Sequence, residues 1–301
     1  MNGQEQGHTS KVAQMLRLTA GETVALVDPA VGAGVVALSD GGIAILSTAE
    51  GRDAGSPFAQ GMNLLAPFSN RISRPFPFGG AHHAVPPNLP HERFAIHGDA
   101  FQKSWEVAEA TPERARLTLR GGIGPFVYDA SLTYAVAPGR LDTRLILTNR
   151  AGESLPYGGG FHPWFPRHAA TRLAFGASGY WPEDAQNIPT TTTPVAAPPD
   201  WVFAPEAPLP ARFINAGFAG WDGTATIRQP DHTLTVVAQG AGTALVYSPG
   251  PDAPFFCFEP VSHPVDAHNL PGQPGLTILA PGQSLTLSLR LAWTHTPEET
   301  P

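Results

Sequence analysis

Strict alternation of apolar and polar residues runs through much of this 301-residue chain. In Arg114–Arg120, RARLTLR, Ala115, Leu117 and Leu119 point one way, and Arg114, Arg116, Thr118 and Arg120 the other. Leu141–Thr148 and Leu285–Leu291 repeat the pattern. A period of two is that of a half-buried antiparallel strand. Shorter strand candidates are Thr23–Val27, Val35–Ser39, Ile43–Leu46, Trp105–Ala110, Tyr128–Val136, Ala225–Gln229, Thr233–Ala238, Ala244–Tyr247 and Phe255–Phe258. Turn signals separate them: Asp40-Gly41-Gly42, Pro138-Gly139, Pro249-Gly250 and Pro281-Gly282. A helical period shows only weakly, over Lys11–Arg17. Many strands with almost no helix predict an all-β chain built as a large antiparallel β-sandwich.

Two stretches break the pattern, Asn63–Leu89 and Trp181–Pro210, both long and proline-rich. Loops of that length are usually functional or disordered. The first carries Phe68, Phe76, Phe78 and several histidines, so it reads as functional rather than as a linker. Neither a break in composition nor a repeat divides the chain. A single domain over 1–301 is expected, with 1–19 as a peripheral N-terminal segment.

Composition narrows the partners. Hydrophobic residues make up 42% and charged residues 14%, enough for a core and unlike a disordered polyelectrolyte. The 32 glycines and 33 prolines have no repeat period and read as punctuation between short strands. A net charge of −7 lacks the basic face that nucleic acid favours. One cysteine, Cys257, allows no internal disulfide. The start, MNGQEQGHTSKV, has no apolar h-region, and no run approaches the roughly 18 apolar residues of a membrane span. A cytoplasmic monomer or homodimer that uses no membrane is the expectation.

Three segments deliver an ionisable group from apolar or glycine-rich runs: Phe94-Ala-Ile-His97-Gly98, Pro156-Tyr-Gly-Gly-Gly-Phe-His162-Pro163-Trp164-Phe165 and Phe255-Phe-Cys-Phe-Glu259-Pro260. Each has a plain structural reading. A histidine among apolar residues is more often a hydrogen-bonded core residue than a catalyst. Gly158–Gly160 could serve only close strand packing. Glu259 could merely end a strand, yet a carboxylate after four apolar residues is paired or has a raised pKa.

Taken in order, the motifs Asn70-Arg71-Ile72, His97-Gly98, His162-Pro163-Trp164-Phe165 and Glu259-Pro260 resemble those of the aldose 1-epimerases, or galactose mutarotases. Phe78-Gly79-Gly80 leading to Pro87-Asn88, Trp105-Glu106-Val107 and Leu279-Ala-Pro-Gly282 fit as flanks. The resemblance spans roughly residues 20 to 293 and implies the galactose mutarotase-like supersandwich. It implies that Glu259 takes the proton from the anomeric hydroxyl, that His162 protonates the ring oxygen, and that His97 holds the sugar near that oxygen. It further implies that Arg71, beside Asn70, hydrogen-bonds substrate hydroxyls.

Elementary chemistry agrees with those roles. Opening a hemiacetal removes one proton and delivers another at neighbouring oxygens, with neither redox step nor metal, so no cofactor is expected. A positioned carboxylate and imidazole can contribute about 10²–10⁴-fold. Either histidine could be the acid on sequence grounds. Phe68, Trp164, Trp181 and Phe218 are candidates to stack on a pyranose, although most aromatics in a sandwich are core.

In one place the chain departs from the family. Ile214-Asn215-Ala216-Gly217-Phe218-Ala219-Gly220-Trp221 puts Asn215 where the family has an aspartate that binds a sugar hydroxyl. Loss of that charge leaves room for a C6-anionic sugar, with Arg71, Arg74 and Arg93 as positive partners. Two rivals follow. A sugar-binding protein of the same fold would bind without turnover. A cupin-like metal enzyme would use His82, His83, His91, Glu92 and His97, although adjacent His82 and His83 would face opposite sides of a strand.

Overall fold

The computed structural model describes residues 15–47 and 57–296, and among these the regular elements are strands joined by loops, with four single-turn 3₁₀ segments. Alternation produces strands where it is cleanest. Phe126–Ala137 and Arg140–Asn149 bury every second residue, and pair without a break from Tyr128↔Asn149 to Ala137↔Arg140. The turn between them is Pro138-Gly139, with Gly139 in the left-handed region at φ 67° that its missing Cβ permits.

Two antiparallel sheets result. The first has the spatial order Leu16–Ala20, Thr23–Asp28, Gly34–Asp40, Met62–Leu65, Gly160–Pro166, Phe255–Val261, Thr243–Ser248, Ile214–Ala219 and Gly179–Trp181, with Ile43–Ala44 hung on Gly34–Asp40. The second runs Glu106–Ala110, Arg114–Ile123, Phe126–Ala137, Arg140–Asn149, Ser284–His295, His232–Gln239, Thr224–Arg228, Arg172–Ala174 and Ala207–Pro208. Their apolar faces share one core, in which Phe161, Phe165, Phe256 and Phe258 from the first sheet join Leu117, Leu132, Leu145 and Leu234 from the second. Each such side chain contributes about 1.5–3 kcal/mol by leaving water.

Polar ties cross between the sheets. Tyr134 donates to Ala33 O at 2.8 Å. Asp40 accepts from Thr23 at 2.9 Å and from the Trp293 indole at 2.9 Å, and pairs with His295 at 2.8 Å. Burial would raise the Asp40 carboxyl, but the bonds from Trp293, His295 and Thr23 outweigh it and hold the group below the usual carboxylate range.

Several expectations need correction. Leu16 and Arg17 lie in an edge strand rather than a helix, because Leu16–Ala20 folds back on Thr23–Asp28 through the two-residue turn Gly21-Glu22. The rest of Lys11–Arg17 is outside the described residues, apart from Met15. Of the segment 1–19, residues 16–19 belong to the edge strand of the first sheet. The stretch read as one long loop begins with the strand Met62–Leu65 and contains the short strands Arg71–Ile72, Phe76–Phe78 and Ala81–His83. Met62–Leu65 and Gly160–Pro166 do not alternate, because they are buried on both faces. One face meets the core, and the other meets a cavity and the loops around it.

Candidate active site

Strand parity aims the key side chains. In Gly160–Pro166, Phe161 and Phe165 enter the core, so His162 and Trp164 face the opposite side. In Phe255–Val261, Phe256 and Phe258 enter the core and Glu259 faces the same cavity as His162. The two strands pair at Gly160↔Val261 and Trp164↔Cys257, a register that sets His162 opposite Glu259. The Ser262 N–H bonds Gly159 O at 2.9 Å, so ladder bonds fall at 161/260 and 163/258. Pro163 and Pro260 have no N–H to give at those places, and the pairing is interrupted between its two ends. His162 and Glu259 occupy the position flanked by them, a type of pair that brings side chains closest. Gly160 permits the approach: a Cβ there would lie 2.4 Å from Pro260 O.

His162 Nε2 and Glu259 Oε1 are 3.3 Å apart, both side chains almost wholly buried. The His162 ring stacks on Trp164 at 4.8 Å, 20° between planes, and meets His97 edge-on at 5.5 Å. Glu259 Oε2 is buried with no hydrogen-bond partner among the described residues. Burial, with the charge of Glu183 adding and Arg71 opposing, pushes the Glu259 carboxyl up to about 8.

His97 arrives by a different device. Asn70 and His97 both have left-handed backbones, φ 50° and 59°, and bond reciprocally: His97 N–H donates to Asn70 O at 2.9 Å, and Asn70 N–H to His97 Nδ1 at 3.1 Å. The Asn88 side chain clamps the same turn, donating to Ile96 O and Gly98 O and accepting from Ile96 N–H at 2.8 Å. An Nδ1 that accepts a backbone N–H places the ring proton on Nε2. Burial first, then His162 and Arg71, hold the His97 imidazole well below its ordinary value. His97 is thus a neutral donor.

The cavity, of about 430 Å³, is lined by Asn70, Arg71, His97, His162, Trp164, Asn215 and Glu259. That volume is of small-molecule size. A larger groove of about 530 Å³ lies over Arg120, Asp129 and Thr148 of the second sheet, but no imidazole lines it. Arg71 bonds Asn70 Oδ1 at 3.3 Å and pairs with Glu92 at 3.3 Å.

Other expected residues go elsewhere. Phe218 shares the parity of Ile214 and Ala216, so it is in the core against Phe175 and Phe203, away from the cavity. Phe68 is core, against Phe126 and His268, and Trp181 is buried outside the cavity lining. Arg74 and Arg93 are exposed and line no part of it, Arg93 donating to Gln186. His82, His83 and His91 join no metal-like cluster; among the described residues the ligand-type group that forms is His162, Cys257 and Glu259, with donor atoms within 4.8 Å of one another.

Sequence reading missed Phe58, Asn187, Phe213 and Tyr247 in the wall, and Glu183 behind Asn215. Phe213 shares the parity of Asn215, and Tyr247 pairs with it, so strand register could have found both. Asn187 and Glu183 come from an aperiodic loop that carries no such signal.

The aldose 1-epimerase family pattern matches residues 14–292. The uncharacterised protein YphB of Escherichia coli (strain K12) is 34% identical over 241 residues, 76% of this chain and 83% of that protein. Among solved structures, a candidate aldose 1-epimerase from E. coli K12 superposes with TM-score 0.88 at 29% identity, covering 94% of this chain and 99% of that one. A galactose mutarotase-like protein from Clostridium acetobutylicum superposes with TM-score 0.80 at 19% identity, covering 94% and 95%, and shares the fold. With a family pattern that covers nearly its whole length, this chain belongs to the aldose 1-epimerase family.

Proposed function

We propose that this protein is a mutarotase that interconverts the α and β anomers of a neutral aldose. The observation that carries the reading is the buried His162–Glu259 pair, 3.3 Å apart in a cavity whose other imidazole is a neutral donor. Glu259 as carboxylate accepts the proton of the C1 hydroxyl while the C1–ring oxygen bond breaks. The electron pair goes to the ring oxygen, which takes a proton from His162. The products are an open-chain aldehyde, a protonated Glu259 and a neutral His162. Rotation about C1–C2 presents the other carbonyl face, and closure returns both protons. His97 Nε2–H supports the ring oxygen, Arg71 holds hydroxyls, and Trp164 supplies an apolar surface for the pyranose.

Charge favours a neutral sugar over a C6-anionic one. Arg71 is already paired with Glu92, and the Glu183 and Glu259 carboxyls beside it are pushed up to about 8 by burial. A C6 anion would find the guanidinium of the cavity already engaged. The C6-anionic sugar that Asn215 suggests is the alternative, and the exchange panel decides between them.

The test is exchange NMR over neutral aldohexoses and their 6-phosphates, with a chelated sample and Glu259→Gln beside it. Expected are faster exchange with a neutral hexose, no effect of chelation, and a loss of about 10²–10⁴-fold in the variant. Full activity in Glu259→Gln overturns the mechanism. Sugar binding without exchange by the unaltered protein would establish the binding-protein reading instead.

A further inference from the structure

We propose that Glu183 and Asn187 lock the Asn215 side-chain amide so that it meets the sugar only as an acceptor, which makes Glu183 a positioning residue for substrate recognition. The inference rests on the mutarotase reading and deepens it. An asparagine amide offers two N–H donors and one oxygen. Asn215 Nδ2 donates to Glu183 Oε2 at 3.2 Å and to Asn187 Oδ1 at 3.0 Å. Both of its hydrogens are therefore engaged within the protein. Its oxygen accepts no bond from the described residues, and Asn215 lines the cavity beside Phe213 and Tyr247. Burial pushes the Glu183 carboxyl up to about 8; once it is ionised, the reverse orientation would set the Asn215 oxygen against Glu183 Oε2 and Asn187 Oδ1, two acceptors facing a third, at the cost of both bonds.

The loop is built to hold the pair. Asp184 N–H donates to Ile188 O at 2.9 Å, and the Asp184 carboxylate accepts the N–H groups of Gln186 and Ile188. Asn187, at φ 57°, closes the turn with its N–H on Asp184 O. Glu183 pairs with Pro189 across it. Asn187 also lines the cavity, and with its oxygen committed to Asn215 its own amide nitrogen is left as a donor. The wall thus shows a sugar one acceptor and one donor side by side, a match for a hydroxyl that donates to Asn215 and accepts from Asn187. The carboxyl group is kept one residue back from the sugar, on Glu183.

A cycle of variants tests this. The assays are run at pH 9, above the raised Glu183 value of about 8; there, in Asn215→Asp, a carboxylate oxygen replaces the nitrogen that faces Glu183, and the two anions repel. Glu183→Gln supplies a side-chain N–H to that position. The expected result is that Asn215→Asp raises KM for galactose or glucose exchange roughly tenfold, with kcat much less affected, and that Asn215→Asp/Glu183→Gln recovers most of the loss. Glu183→Gln, whose oxygen can still accept, should cost less than Glu183→Leu. The same coupling is expected in Tm without sugar: Asn215→Asp lowers it, and the double variant restores it. Additive effects in both KM and Tm would overturn the proposal, because a merely structural Glu183 gives no rescue. Should the unaltered protein exchange no sugar, the mutarotase reading falls, and the Tm cycle still decides the amide's orientation.

Discussion

Glu259 shows at one residue how the site trades stability for chemistry. Its carboxyl, raised to about 8 by burial, is a stronger base than an exposed glutamate, but in the proposed mechanism it must lose its proton to act. We expect kcat/KM to rise with pH along an acid limb well above the ordinary carboxylate range. His97→Gln should lower the rate without moving that limb, since the His97 imidazole stays neutral there. A pH–rate profile of both proteins checks this. Linkage fixes a second sign. Because the folded state binds the Glu259 proton more tightly than the unfolded chain, the group costs increasing stability from about pH 4.5 up to its folded value near 8. Glu259→Gln should therefore gain stability over the parent between pH 5 and 8.5, measured by urea unfolding, while losing activity. The residue was legible in the sequence, because four apolar residues before a carboxylate announce burial. Its partner was legible only through the family resemblance, and the tautomer that separates His97 from His162 required the Asn70 N–H.

At the scale of elements, the sequence yielded strands where one face is wet and lost them where neither is. Arg114–Ile123 and Ser284–His295 alternate because solvent takes every second residue. The central strands of the first sheet are covered twice, so their composition reads as loop or as an apolar run. Phe218 was misplaced although parity within Ile214–Ala219 assigns it to the core side. The His97 turn depends on contacts no pattern displays, chiefly the Asn88 clamp. Asn88→Ala should leave Ile96 N–H and two carbonyls without their partner and let His97 shift. A fall in kcat of about 10²-fold, with a stability loss of only about 1–3 kcal/mol, is the expected split. Between the sheets, Asp40→Asn should destabilise by a similar amount at neutral pH. Since the Asp40 carboxyl is held low, its contribution is full above the ordinary carboxylate range and is lost as pH falls through the folded value. The gap between parent and variant should close in acid, by urea unfolding at pH 7 and pH 3.

For the whole molecule, sheets and loops place charge as well as shape. The second sheet adds no residue to the cavity lining and serves as the floor under the strands that do. The net charge of −7 and the pairing of Arg71 with Glu92 both support the proposed neutral sugar. Composition supplied the net charge, which in the sequence argued only against nucleic acid. The place of Glu183 needed the Trp181–Pro210 loop in three dimensions, because Glu183 lies in a segment with no period to read. No helix among the described residues is long and apolar enough to cross a membrane.

The strand pair that carries His162 and Glu259 also bears on the order of events in folding. Its two members are separated by roughly a hundred residues of chain, and Asn70 and His97 come from earlier still. Pairings of such long sequence separation close late and slowly, because loop entropy must be overcome before any contact rewards it. Local hairpins such as Phe126–Ala137 with Arg140–Asn149 can form first without any site existing. On dilution from denaturant, recovery of sugar exchange should follow the slowest phase of refolding, behind the gain of β-sheet signal. No half of the chain, cut between residues 162 and 259, should hold activity by itself.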